Sequence, residues 1–307
     1  MTQYIIRRFL QMIPITLGIL TLIFSLIHLI PGDPAVQIAG EGARPEDVMA
    51  VRKALGLDQP LWKQYVTYIN RLAHGDLGRS FRTDRSVAEE IAARYPATMQ
   101  LAFGSMLVAL LVAFPLGIIS AIYRNSWIDN VARFFALIGV SMPSFWFGPL
   151  LIIAFAINRE WFPVSGRENG LRSLVLPSVT MGLALSAILT RMIRVSLADE
   201  LGQLYVTTAI AKGVTRAKAI FRHALKNALI PVITILALQF GSLLTGAIIT
   251  EQIFSWPGLG RLLIQSITTR DYPQVQASIL VIALTYIMVN FISDLLYGVV
   301  DPRIKLE

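Results

Sequence analysis

The sequence contains no cysteine. Disulfides, thiol nucleophiles and cysteine-ligated metals are therefore excluded. Histidine is scarce: the 3 residues His28, His74 and His223 lie far apart, which argues against a histidine-built metal site. Charged residues make up only 15% of the chain. The phosphate-cradling pattern G-x-x-x-x-G-K-[ST] is missing, so there is no P-loop nucleotide site. H-E-x-x-H and G-x-S-x-G are missing as well. No pair of carboxylates and no His–Asp combination falls inside the apolar runs, where ionisable groups usually mark ion coupling or proton relay. The chain lacks both a catalytic set and an engine of its own.

What it has in abundance is apolar sequence. Of 307 residues, 55% are hydrophobic, and the mean hydropathy is +0.62. A helix needs roughly 20 apolar residues to cross a bilayer core. Six runs qualify: Leu10–Ile30, Thr98–Tyr123, Phe134–Ile157, Leu174–Thr190, Ile230–Thr250 and Ala277–Val300. The fourth is the shortest and ends in the charged "RMIR". The first follows "IIRRF", but its apolar part is too long for a signal-peptide core of about 7–15 residues and no small-x-small cleavage site follows. It reads as a retained span. The expected fold is an all-α integral membrane protein with six transmembrane helices.

Six spans place both termini on one side. Lysine and arginine in short loops favour the cytoplasm. The terminal side carries 13 of the 27 Lys and Arg residues, the two short loops opposite carry 5, and 9 lie in the long segment 31–97. Both termini and residues 195–229 are thus expected to be cytoplasmic, and residues 31–97 periplasmic. That segment has Trp62, Tyr65, Tyr68, Ile69 and Leu72 at helical spacing, and Ser86 with Glu89 as a candidate capping box. It reads as a small folded layer. The division is 1–30 for the N-terminus and first span, 31–97 for the outer loop, and 98–307 for the transmembrane core. Asp294 is expected to play a local structural role, paired with a cytoplasmic Arg or Lys.

Between the fourth and fifth runs lies the basic stretch "YVTTAIAKGVTRAKAIFRHALKNALIP", Tyr205–Pro231. Leu197, Leu201, Leu204 and Tyr205 suggest a helix ending near Lys212. Gly213 can adopt positive φ at the C′ position and turn the chain. Thr215 can cap a second helix, with Ala217, Ile220, Phe221, Ala224, Leu225 and Ala228 on one apolar face and Lys218, Arg222 and Lys226 on another. The product is a helix–glycine–helix elbow. Periodicity alone leaves two roles open, an interfacial helix on anionic lipids or a docking element for a cytoplasmic partner.

Residue identity narrows this. "YVTTAIAKG…IP", with Ala209 and Gly213 four apart, resembles the EAA loop of ABC-importer permeases. "PGDPA" (Pro31–Ala35), "LGLDQPLWKQY", "GDLGRSF", "SMPSFW" (Ser141–Trp146), "FSWPGLGRLL" (Phe254–Leu263), "RDYP" (Arg270–Pro273) and "DPRI" (Asp301–Ile304) follow in an order that resembles the peptide/nickel/opine branch, closest to its dipeptide-type subunit. The family's acidic loop position falls on Thr207. The resemblance implies the type I importer permease fold and a non-enzymatic transport subunit of the bacterial inner membrane. It implies a homologous second permease subunit, two cytoplasmic ATPases that bind ATP and Mg, and a periplasmic or lipid-anchored solute-binding protein. Membrane lipids complete the partners. The chain itself then holds no cofactor, no metal and no nucleic acid.

Tyr205, Thr208, Ala209, Ala211, Lys212 and Gly213 become the expected ATPase contact. Trp256, Pro257, Gly258 and Gly260 form an expected periplasmic gate, with "RLLIQSI" a short amphipathic helix that cannot span. Gln239, Thr245, Thr285, Tyr286 and Asn290 are polar candidates for the path. The cargo stays open among dipeptides, longer peptides, glutathione, opines and nickel complexes. A self-sufficient channel or secondary carrier, the rival class, should show inward-facing charge pairs or an inverted repeat.

Overall fold

Backbone N–H and C=O groups have no water to bond in hydrocarbon, so each apolar run must close its own hydrogen bonds as a helix. The computed structural model describes residues 2–29, 33–40, 42–54 and 56–300. Pro31 and Gly32 of "PGDPA", all of "DPRI", and Arg303 and Lys305 of the cation tally lie outside the described residues. Among the described residues the chain is helical, with a single isolated bridge between Arg79 and Ser86.

Helix α1 (Thr2–Leu29) is followed by three short helices, α2 (Pro34–Ala39), α3 (Pro45–Ala54) and α4 (Leu61–Ala73). Then come α5 (Val87–Ile122), α6 (Trp127–Ser141) and α7 (Ser144–Leu151), the last running into a π-helix, Ile152–Ile157. Next are α8 (Leu171–Leu201), α9 (Leu204–Ala211) and α10 (Arg216–Lys218). A second π-helix (Ala219–Ala224) joins α10 to α11 (Leu225–Ile253); α12 (Leu259–Thr268) and α13 (Tyr272–Val300) complete the chain. Among the described residues, five helices are long and apolar enough to cross a membrane, and the bent pair at 127–157 makes a sixth span if counted as one.

Three expectations need correction. The third run is not one helix: it breaks at Met142 and Pro143, and the halves meet at 101°. Met142 is extended (φ −87°, ψ 116°), as the residue before a proline prefers. The helix expected to end near Lys212 stops at Leu201, because Gln203 is extended (φ −76°, ψ 146°) and starts α9 afresh. The capping box at Ser86 does not form. Val87 N donates instead to Gly78 O at 3.1 Å, so the hairpin backbone takes the first N–H of α5. Ser86 is still the N-cap, so a helix does begin where the sequence suggested, and as α5 it runs on into the second span.

The fourth run, weakest in the sequence, forms the most buried span. Helix–helix association in lipid depends on close approach rather than apolarity, and small residues permit it. Helix α8 buries Ser178, Thr180, Gly182, Ser186 and Thr190 and packs chiefly along α5. A Cβ on Gly182 would sit 2.6 Å from Ser105 O. Leu101, Ala102, Met106, Ala109 and Ala113 of α5 meet Leu185, Leu189 and Ile193 of α8 in the main core. Helix α1 is peripheral, resting on α13, with Leu20 and Ile23 against Leu280 and on Tyr68, Ile69 and Leu72 of α4. Trp62 of the same α4 pattern stays exposed.

Gly182→Ile should therefore lower the melting temperature in detergent, by overpacking worth about 1–3 kcal/mol. Gly18→Ile should leave it unchanged, because a Cβ there meets nothing within 4 Å. Equal melting temperatures for both would remove the α5–α8 seam as the centre of stability.

Candidate functional site

The polypeptide between α8 and α11 forms an elbow. Gly213 has φ +89°, closed by Gly213 N to Ile210 O and Val214 N to Ala209 O at 2.9 and 3.1 Å. A Cβ on Gly213 would touch nothing within 4 Å, so backbone sterics alone select glycine here. Thr215 stands at the N-cap of α10 without a side-chain bond. Val206 anchors the elbow, buried with Ala121 of α5, Leu197 and Ala198 of α8, and Ala219, Ala224 and Ala228. The face expected on α10–α11 is shifted: Ala219, Ile220, Ala224 and Ala228 are buried, while Ala217 and Phe221 are exposed. The wider turn of the π-helix rotates the side chains away from a 3.6-residue period.

Away from the anchor the elbow is open. Leu204, Tyr205, Thr208, Ile210, Ala211, Lys212 and Gly213 are exposed and Ala209 is half-buried. Tyr205 has a bracing role that its sequence position did not suggest. Its hydroxyl donates to Glu200 Oε2 at 2.5 Å and accepts from Asn227 Nδ2 at 3.1 Å, tying α8 to α11. Burial and the Glu200 carboxylate push the hydroxyl above its ordinary pKa, so it stays a donor. Lys218, Arg222 and Lys226 are exposed, and none belongs to an ion pair among the described residues.

At the other end of the bundle, "FSWPGLGRLL" forms a turn and the ten-residue α12. Trp256 is fully buried, its Nε1 donating to Ala97 O at 2.8 Å. Positive φ falls on Ser255 rather than on the glycines. Gly258 is required for space: its Cβ would lie 2.0 Å from Glu251 Oε1. Gly260 lets the turn approach Ile248 Cα, 2.5 Å from where its own Cβ would stand.

Of the five path candidates, Thr245, Tyr286 and Asn290 line one cavity of about 590 Å³ between α1, α11 and α13. Its wall is mostly apolar, with Arg8 and Asp294 among its residues, paired at 3.2 Å. Asp294 thus has the basic partner expected of it. Thr285 faces elsewhere, donating to Val281 O at 2.7 Å beside Tyr95, and Gln239 does not line the cavity.

Residues 113–306 match the family described as binding-protein-dependent transport system inner membrane component, and residues 1–102 match its N-terminal companion. The chain belongs to this family. It is 43% identical, over 307 residues and the full length of both chains, to the glutathione transport system permease protein GsiC of Escherichia coli O6:H1. It is 42% identical to the dipeptide transport system permease protein DppB of Alkalihalophilus pseudofirmus, over 99% of this chain and 100% of the relative. Among solved structures, a chain of the MetNI methionine ABC transporter superposes with a TM-score of 0.60 at 15% identity, covering 69% of this chain and 96% of its own. An amino acid ABC transporter gives 0.54 at 16% identity, covering 68% and 94%. The protein is therefore an ABC importer permease of the peptide/nickel branch, a multi-pass inner-membrane transport subunit and not an enzyme.

Two buried acids of the permease escaped the sequence reading. Glu251 follows directly on the fifth apolar run, and Asp129 stands at the start of α6 between the second and third runs. Asp129 is 0% exposed and holds Arg194 through two contacts of 2.7 Å. Ser120 Oγ and Asn125 N donate to it at 2.5 and 2.9 Å, and Arg133 Nε lies 3.5 Å away. This ion pair joins α6 to α8 at the elbow end and lies outside the apolar runs. Charge patterning could not find it, because 65 residues separate the partners.

Breaking a buried pair leaves one ion uncompensated and costs roughly 3–5 kcal/mol, whereas an apolar replacement of both can be near neutral. Asp129→Ala should therefore destabilise the permease by about that amount, read as lost thermal stability in micelles. Asp129→Leu with Arg194→Met should recover most of it. A stable Asp129→Ala protein would contradict this account.

Proposed function

We propose that this chain forms, with a homologous second permease, the import path for short peptides of two or three residues, driven by separate ATPases. The elbow is the observation that carries the reading. It is anchored at one point by Val206, presents exposed Leu204, Ile210 and Ala211, and continues directly into two long helices. An external domain pressing on it moves α8 and α11 together. Tyr205, Thr208, Ala209, Ala211, Lys212 and Gly213 enter the ATPase cleft, and ATP and Mg bind in the partner. The small side chains permit close approach. Thr207, being neutral, supplies no charged contact. The full-length similarity to a dipeptide permease and to a permease for glutathione, a tripeptide, supports the cargo class.

In this reading residues 203–215 face the cytoplasm together with both termini, and residues 31–97 face the periplasm, where a solute-binding protein docks. Thr245, Tyr286 and Asn290 contribute to the path wall. Trp256, Pro257, Gly258 and Gly260 hold α12 as its periplasmic cover.

Placing Val at Gly213 adds strain of about 1–2 kcal/mol, small enough for insertion to survive. Gly213→Val and Ala209→Trp should insert, accept loaded binding protein, and lose either ATPase attachment or substrate-stimulated hydrolysis. Both variants behaving as the parent would reduce the elbow to a lipid-facing helix pair. Because the chain has no cysteine, single-cysteine labelling tests the sidedness. Arg85→Cys should react with an impermeant maleimide from the periplasm and Thr215→Cys should not; Ser80 is unsuitable, being 4% exposed. In cells stripped of other peptide importers, the system should restore uptake of labelled dipeptide or glutathione.

A further inference from the structure

Glu251 is 0% exposed, and no cation lies within ion-pair distance of it among the described residues. It still makes close polar contacts with two other elements. Thr98 Oγ1 of α5 donates to its Oε1 at 2.6 Å, and Arg261 N of α12 donates to its Oε2 at 3.0 Å. Thr98 Oγ1 accepts Leu259 N at 2.8 Å. The first backbone N–H groups of a helix have no internal acceptor. In α12 those of Leu259 and Arg261 are taken by side chains of α5 and α11. An anion at this end is also favoured by the helix dipole. Gly258 leaves the carboxylate the space a Cβ would fill, and Trp256 Nε1 adds a third contact to α5 through Ala97 O.

The same two long helices meet again at the elbow. Ala121 near the end of α5 and Ala228 of α11 pack there with Val206. From these elbow contacts to Thr98 and Glu251 is about 35 Å of helix at 1.5 Å per residue. We infer that Glu251 and Thr98 are positioning residues that lock α12 to α5 and α11, so that a displacement received at the elbow is delivered to α12 as a rigid-body movement. This rests on the proposed coupling role of the elbow. The carboxylate suits the position because it only accepts: Thr98 and Arg261 both present donors to it. Glutamine would turn an NH2 group towards one of them. Serine at residue 98 would keep the hydroxyl and valine would remove it.

The test uses the assembled transporter. Spin labels are placed at Ala92→Cys on α5 and Gln265→Cys on α12, both exposed positions. The parent should give one narrow distance, the same with and without vanadate-trapped nucleotide. Glu251→Gln and Thr98→Val should broaden or shift it and cut the ratio of stimulated to basal ATP hydrolysis by about ten-fold, the equivalent of one hydrogen bond to a charged group. Basal hydrolysis should not change. Thr98→Ser should behave as the parent. Should Glu251→Gln fail to assemble, Thr98→Val against Thr98→Ser decides the matter. A distance that changes on trapping in the parent overturns the rigid link, as does an unchanged distance and ratio in Thr98→Val. If the elbow does not couple, Gly213→Val keeps stimulated hydrolysis while the distances still respond to Thr98→Val. That outcome removes the transmission and leaves the lock itself in place.

Discussion

Lipid tails are as apolar as leucine, so helices in a bilayer gain little from hiding apolar surface against one another and must associate by fitting closely. The α5–α8 seam meets this condition, and the rest of the bundle is arranged on it. Gly182 brings the two backbones close enough for side chains on both sides to interlock. Helices α6, α7 and α11 pack against α8, while α12 and α13 lean on α11 and α5. Apolarity does not decide the order: α5, the most apolar of the long spans, lies in the seam, while α1, less apolar than α8, lies outside.

Polar groups are costly at such depth unless fully paired, and the permease confines its buried acids to the helix ends. Asp129 with Arg194 closes the elbow end between α6 and α8. Glu251 with Thr98 closes the opposite end between α11, α5 and α12. Asp271 accepts Ser80 Oγ and Phe81 N, at 2.5 and 3.1 Å, and fastens the hairpin before α5 to the start of α13. Each acid joins segments remote in sequence. The middle of the bundle is left to small and apolar side chains.

The elbow follows the same economy. One buried valine fixes it, one tyrosine hydroxyl braces it, and its remaining side chains stay available. The π-helix next to it widens the turn where the amphipathic approach segment passes into α11. The mostly apolar cavity that gathers Thr245, Tyr286 and Asn290 against α1 lies further along α11, so one helix borders both the elbow and the candidate path.

The sequence determined which segments are apolar enough to be helices in a membrane, the glycine turn at Gly213 and the short helix after "FSWPGLG". Each follows from local composition or from a residue type that only one backbone conformation accommodates. It did not determine the break at Met142, the separate α9 or the rotated face at Ala219–Ala224, where small changes in φ and ψ outweigh a periodic pattern. Nor did it reveal that Gly258 exists for the Glu251 carboxylate, or that Asp129 finds Arg194. Hydrogen bonds and ion pairs between distant segments depend on how the helices pack, and packing of small residues leaves no period in the sequence. Only the tertiary structure decides which buried charges meet, because only there do α5, α8 and α11 come within reach of one another.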